Sequence, residues 1–102
     1  MKDRIPVELT LQTCTYPIID GVERKTVTAE TEAFADVVGV NRAEFYAADQ
    51  AGYRADIIFE LWAFEYGGQQ GVLYDGREYK VIRSFPVSMD RVQITCQRMD
   101  GL

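Results

Sequence analysis

Apolar and polar residues alternate with a period of two through most of this chain. Residues 6–14 set Val7, Leu9 and Leu11 against Glu8, Thr10 and Gln12, the pattern of a half-buried strand. Cys14 is out of phase with that apolar row, so it either faces outward or follows a bulge. A second strand is expected over about 27–38. Val27, Ala29, Thr31, Ala33, Ala35 and Val37 lie on one face, and Glu30, Glu32 and Asp36 on the other, interrupted by Phe34. Between the two, residues 15–26 hold Pro17, Asp20-Gly21 and Glu23-Arg24-Lys25. They read as a polar hairpin loop, longer than the two-residue kind and mobile.

The period changes after Gly39-Val40. Asn41 can accept hydrogen bonds from the free N–H groups of a first helical turn, and Glu44 completes a capping-box-like pattern. A helix is expected over 42–51, ended by Gly52. So short a helix is not stable alone in water and must dock, through Phe45, Ala48 and its other alanines.

Residues 54–66 give the strongest strand signal. Ile58, Trp62, Phe64 and Tyr66 share one face, and Ile57, Phe59, Leu61 and Ala63 share the other, with Glu60 and Glu65 as the main interruptions. A strand covered on both sides is central to a structure. One side would be a barrel core and the other the helix or a neighbouring subunit. Gly67-Gly68-Gln69-Gln70-Gly71 is a flexible turn. It leads to two strands joined at Asp75-Gly76, where a type I′ turn needs the positive φ that glycine adopts without a Cβ clash. Beyond it Tyr79 and Val81 point one way, and Lys80, Ile82 and Ser84 the other. In the last strand Val92, Ile94 and Cys96 share one face, and Gln93, Thr95 and Gln97 the opposite one.

Composition narrows the function classes. The chain has 102 residues, 47% hydrophobic and 26% charged, which suits one globular domain. At this size oligomerisation is a useful further source of stability. The net charge is −5, and the densest basic stretch, Arg24-Lys25, is flanked by Asp20 and Glu23. Sustained contact with a DNA backbone needs clustered Lys and Arg, so this balance argues against it. No apolar run approaches the ~20 residues of a membrane span. Cys14 and Cys96 have no metal-ligand spacing and read as reduced thiols.

Chemistry is conspicuous by its absence. With no histidine, histidine-dependent triads, most zinc sites and the commonest general acid–base group are excluded. Glu30 with Glu32 has the ordinary spacing of a solvated strand face. The glycine-rich 67–71 segment lacks the Lys-Ser/Thr ending of a phosphate loop and leads into a strand. Asp20-Gly21 lacks the alternating acidic ligands of a calcium loop. The expectation is a protein that is not an enzyme, with no cofactor and no metal. Trp62, Phe64, Tyr66, Tyr74 and Tyr79 lie on adjacent expected strands, which would suit a stacking platform for single-stranded nucleic acid. The acidic charge favours packing and protein interfaces instead.

In order and spacing, four segments resemble the head-tail joining proteins of tailed bacteriophages, also called head-closure, adaptor or stopper proteins. These are residues 35–46 (with Glu44-Phe45-Tyr46), residues 54–66, the Tyr74-x-Gly76-x-x-Tyr79-x-Val81 hairpin, and Val92-Gln93-Ile94-Thr95-Cys96. The resemblance covers roughly residues 28–98; the N-terminal segment and the 15–26 loop depart from it. It implies a mainly β fold, a small antiparallel barrel or sandwich of about six strands with one short helix at about 42–51, as a single domain over 1–102. It further implies a homo-oligomeric ring, twelve copies in the usual arrangement, with the isolated protein able to remain a monomer. The ring would lie in the virion between the portal or adaptor and the tail protein, having assembled in the host cytoplasm. DNA would pass through without specific binding, and no membrane is involved. Candidates for a channel or partner loop are Asp20, Glu23, Arg24 and Lys25. Candidates for the subunit interface are Arg42, Phe45, Tyr46, Trp62 and Phe64. The runner-up readings are a tail-completion or tail-terminator protein and, behind it, an OB-type nucleic-acid-binding barrel.

Overall fold

The structure is a computed structural model that describes residues 6–99, apart from the side chain of Glu44. Eight strands and one α-helix follow in chain order: β1 Val7–Thr15, β2 Ile18–Ile19, β3 Val22–Glu23, β4 Thr26–Val38, α1 Arg42–Gln50, β5 Ile57–Trp62, β6 Gly71–Tyr74, β7 Arg77–Pro86 and β8 Arg91–Arg98. Six of the strands close an antiparallel barrel in the order β1-β4-β5-β8-β7-β6, and β2 pairs with β3 as a separate ribbon. The fold is therefore mainly β, with six barrel strands and one short helix, as expected.

Alternation builds the barrel interior. Leu9 and Leu11 of β1, Ala33 and Ala35 of β4, Phe59 and Leu61 of β5, Val72 of β6, Tyr79 of β7, and Val92, Ile94 and Cys96 of β8 form one buried cluster. Phe59 sits at its centre, with the rings of Tyr74 and Tyr79 edge-on at centroid distances of 5.2 and 6.1 Å. Each fully buried aliphatic or aromatic side chain here contributes on the order of 1.5–3 kcal/mol.

Both Asp-Gly pairs form tight turns. Asp75 and Gly76 have φ of 54° and 75°, and Asp20 and Gly21 have 55° and 78°. These are the paired positive angles of type I′ turns. The second case corrects the reading of 15–26 as a long polar loop, since β2 and β3 make a nested ribbon across Asp20-Gly21.

Four further expectations change. β4 does not bury its whole apolar row: Ala33 and Ala35 are inside, whereas Val27, Ala29 and Thr31 are exposed. Pairing explains this, because β5 meets β4 only at Asp36, Val37 and Val38, so the first part of β4 runs beyond the barrel wall. The strand expected to run to Tyr66 stops at Trp62, and a single 3-10 turn over Ala63–Glu65 follows. Ala63 N–H there donates to the carbonyl of Asp90. The turn breaks the alternation: Tyr66 packs against the core, whereas Phe64 stays outside beside Trp62. In β7 a register shift at Ile82 sets Arg83 opposite Thr95 and Ser84 opposite Ile94. Ser84, opposite the inward Ile94, therefore does not share the face of Lys80, which stands opposite Gln97.

The helix is the fourth case. It forms where expected, and Gly52, at φ 88°, ends it, with Tyr53 N–H donating to the Ala48 carbonyl. The Asn41 carbonyl accepts from Phe45 N–H at 3.0 Å. The contact expected of Glu44 lies outside the described residues. Docking goes through Ala48, which is buried, while Phe45 is 47% exposed. Ala47, Ala48 and Ala51 line a small apolar cavity with Ile82 and Arg83, so the alanine face lies over β7 and the aromatic face is left to solvent.

Candidate interaction surfaces

Three surfaces gather the residues singled out by sequence. The first is the outer wall where β4, β5 and β8 run side by side. Register sets Asp36 opposite Glu60, Glu60 opposite Gln93, and Trp62 opposite Arg91. Arg91 donates from Nη2 to Asp36 Oδ2 at 3.0 Å and from Nε to Glu60 Oε2 at 3.1 Å. Gln93 Nε2 donates to Glu60 Oε1 at 3.0 Å. The Arg91 guanidinium also lies 4.5 Å from the centroid of the Trp62 ring, within cation–π range. Trp62 stacks on Phe64 at 6.2 Å with 20° between the ring planes. Phe64 is 81% exposed, and Phe34 beside this wall is exposed as well. A shallow cleft bounded by Pro6, Phe34, Ala35, Asp36, Trp62 and Arg91 opens there. The result is an aromatic patch seated on a fixed network of charged hydrogen bonds.

The second surface is the exposed side of α1. Phe45 and Tyr46 pack edge-to-face at 6.0 Å, and both line a depression with Val40, Asn41, Arg42 and Ala55. Ala55 precedes β5 and Trp62 ends it, so this patch and the Trp62 wall stand apart. Five strand steps from Ile57 to Trp62 amount to roughly 17 Å. The five interface candidates thus form two patches: Arg42, Phe45 and Tyr46 in one, Trp62 and Phe64 in the other.

The third is the ribbon of β2 and β3 with its flanks. The four loop candidates divide here. Asp20 and Arg24 are exposed. Glu23 turns to the barrel, accepting from Lys80 Nζ at 2.7 Å, and Lys80 also sits 4.8 Å from the centroid of the Tyr16 ring. The Lys25 side chain is only 4% exposed, with its ammonium 4.0 Å from Glu78 Oε1 and donating to Gln12 Oε1 and to the Val72 carbonyl. Burial pulls the Lys25 pKa below its ordinary value, and Glu78 opposes that shift. A buried lysine is no channel-lining group: Lys25 is the peg that holds the ribbon on the wall.

Beneath the peg lie Gln12 and Cys14, which belong to the outer face of β1. Cys14 is buried because residues 16–25 fold over it, and the register shifts between Thr13 and Cys14. Its thiol donates to Tyr16 Oη at 3.4 Å, and Tyr16 Oη donates to the Gln70 carbonyl at 2.8 Å. Burial, followed by the bond with Cys14, raises the Tyr16 pKa. Beside Asp20 and Arg24, the ribbon leaves apolar side chains open: Ile18 at 74% exposure, with Ile19 and Val22.

The aromatic residues on neighbouring strands do not form one platform. Tyr74 and Tyr79 turn inward onto Phe59, and Tyr66 is half-buried, with Oη donating to the Gln69 carbonyl. Only Trp62 and Phe64 face outward together. Sequence reasoning missed the Arg91–Asp36–Glu60–Gln93 network and the Lys25–Gln12–Glu78 cluster. Each depends on which strands pair and in what register, and no motif encodes that. Among the described residues, no group of three His, Cys, Asp or Glu is placed to hold a metal ion. Nor, among them, is any helix long and apolar enough to cross a membrane. Comparison with models of known protein families and with curated protein sequences finds no match for the chain.

Proposed function

We propose that this chain is a structural protein of the phage head-tail connector. In this reading it forms a ring below the portal or adaptor that closes the DNA-filled head and receives the tail. The observation that carries the proposal is the outer wall around Arg91. The barrel buries a core of aliphatic and aromatic side chains, yet it holds Trp62 and Phe64 outside, beside a network of charged hydrogen bonds. Exposed aromatics seated on fixed arginine pairs are the residue types that dominate protein–protein contacts. The α1 patch and the exposed apolar side chains of the ribbon strands add two further contact surfaces, enough for neighbours on both sides and for a partner above or below. The order of the four sequence segments supplies the family expectation. The acidic balance suits a conduit that DNA passes without adhering.

The mechanism is assembly, with no bond chemistry. Ring contacts are heterologous, one patch of a subunit meeting a different patch of the next. Phe64→Ser combined with Trp62→Ala tests the wall. Phe64 is 81% exposed, so its replacement changes stability by no more than about 0.5 kcal/mol. The double variant is expected to remain folded by circular dichroism and to fail in rescuing a phage that carries a nonsense codon in this gene. Full rescue would contradict the proposal.

A further inference from the structure

The barrel closes over only part of its height, and where it does not close it leaves two strand edges open. β4 pairs with β1 from Thr26 to Ala35 but meets β5 only from Asp36 onward. β7 pairs with β8 from Tyr79 to Pro86 but meets β6 only as far as Lys80. Among the described residues, no strand covers the outer edge of β4 over 29–35 or of β7 over 82–85. Both stretches lie towards the end of the barrel where β5 finishes and β6 begins. Each is bounded: the register shift that skips Thr28 limits the β4 stretch, and Pro86, which has no N–H to donate, limits the β7 stretch.

An open edge is a row of unpaired N–H and C=O groups ready to accept another strand. Natural edges are commonly guarded by lysine or an inward charge, and β4 over 29–35 carries no lysine, arginine or proline. Its outer row is acidic, Glu30 and Glu32, whereas the outer row of β7 presents Arg83 beside Phe85. The two edges are complementary to one another, and neither is complementary to itself.

We propose that the open edge of β4 in one copy pairs antiparallel with the open edge of β7 in a second copy. A register that sets Glu32 opposite Arg83 puts Thr31 opposite Ser84 and Glu30 opposite Phe85. That arrangement joins an ion pair, a hydroxyl pair and an aliphatic stem against a ring across one ladder. Two different edges are used, so each copy has one of each to offer and the contact propagates head to tail. The inference deepens the ring reading by naming the contact between copies. It rests on that reading only for closure of the ring.

Sedimentation equilibrium of the purified full chain, across a concentration series at low salt, tests the pairing apart from any phage assay. The wild-type chain is expected to self-associate. Arg83→Glu and Glu30→Lys/Glu32→Lys should each weaken association by roughly tenfold, the effect of turning an attractive pair repulsive. Combining all three substitutions should restore it, and so should mixing the two weakened proteins. All the altered side chains are on exposed residues, and circular dichroism checks that each variant is folded. A wild-type chain that stays monomeric throughout, or association indifferent to the charge exchange, would overturn the inference while leaving the connector reading to the rescue assay.

Discussion

Gly71 shows how closely the ribbon is fitted to the barrel. A Cβ there would come within 2.8 Å of both Cys14 Sγ and Lys25 Cε, whereas at Gly67 the nearest atom is 3.7 Å away. Gly71→Ala is therefore expected to cost about 1–3 kcal/mol in urea unfolding, because the pegged Lys25 and the buried thiol have little room to yield. Gly67→Ala is the control and should cost far less; equal costs would show that the ribbon gives way easily. Cys96 carries a second residue-scale prediction. Burial lifts its thiol pKa well above the ordinary value of 9.0, so the native state resists a deprotonation that the unfolded chain accepts. That contribution is fully present below pH 9 and declines as pH rises through the alkaline range toward the raised value. Cys96→Ala removes it at the cost of a small cavity. The stability gap between wild type and this variant should accordingly narrow above pH 9 in denaturant titrations. A gap that stays constant to pH 11 would show the thiol to be uncoupled from folding.

At the scale of elements, the strands were legible and their partners were not. Alternation located β1, β4, the hairpin of β6 and β7, and the inward row Val92, Ile94 and Cys96, since a buried face imposes a period of two wherever a strand lies on a core. Alternation says nothing about where a strand loses its neighbour. Val27, Ala29 and Thr31 keep the period of Ala33 and Ala35 yet stand in solvent, because β5 is too short to reach them. The same dipeptide signal was available at Asp20-Gly21 and Asp75-Gly76. Only the second is flanked by long alternating strands, and the two-residue strands beside the first are too short to announce themselves. What holds the ribbon down is tertiary: Lys25, Tyr16 and the Glu23–Lys80 pair. Lys80→Ala deletes the pair and the contact with Tyr16 together, at an expected cost of about 0.5–1.5 kcal/mol. Amide exchange should quicken severalfold at Ile19 and Val22 while Leu11 and Ile94 keep their protection. Unchanged exchange at the ribbon would assign its anchoring to Lys25 alone.

For the molecule as a whole, the candidate site was half visible. Sequence reading singled out Trp62, Phe64, Phe45 and Tyr46, and the fold leaves all four outside, together with Phe34, Tyr53 and Phe85, which it did not single out as surface residues. It could not separate the four into two patches, nor foresee that Arg91, from a strand much later in the chain, would brace one of them. Trp62 is the only tryptophan in the chain, so its emission reports on that wall directly. If the wall is a subunit contact, emission should move to the blue as the protein assembles; assembly without a shift would take Trp62 out of the contact. The central claim concerns place and role in a particle, and electron microscopy of lysates tests it most directly, using a phage or prophage with a nonsense mutation in this gene. The connector account predicts heads that package DNA and then leak it, beside separate finished tails. Intact, tailed virions full of DNA would contradict it.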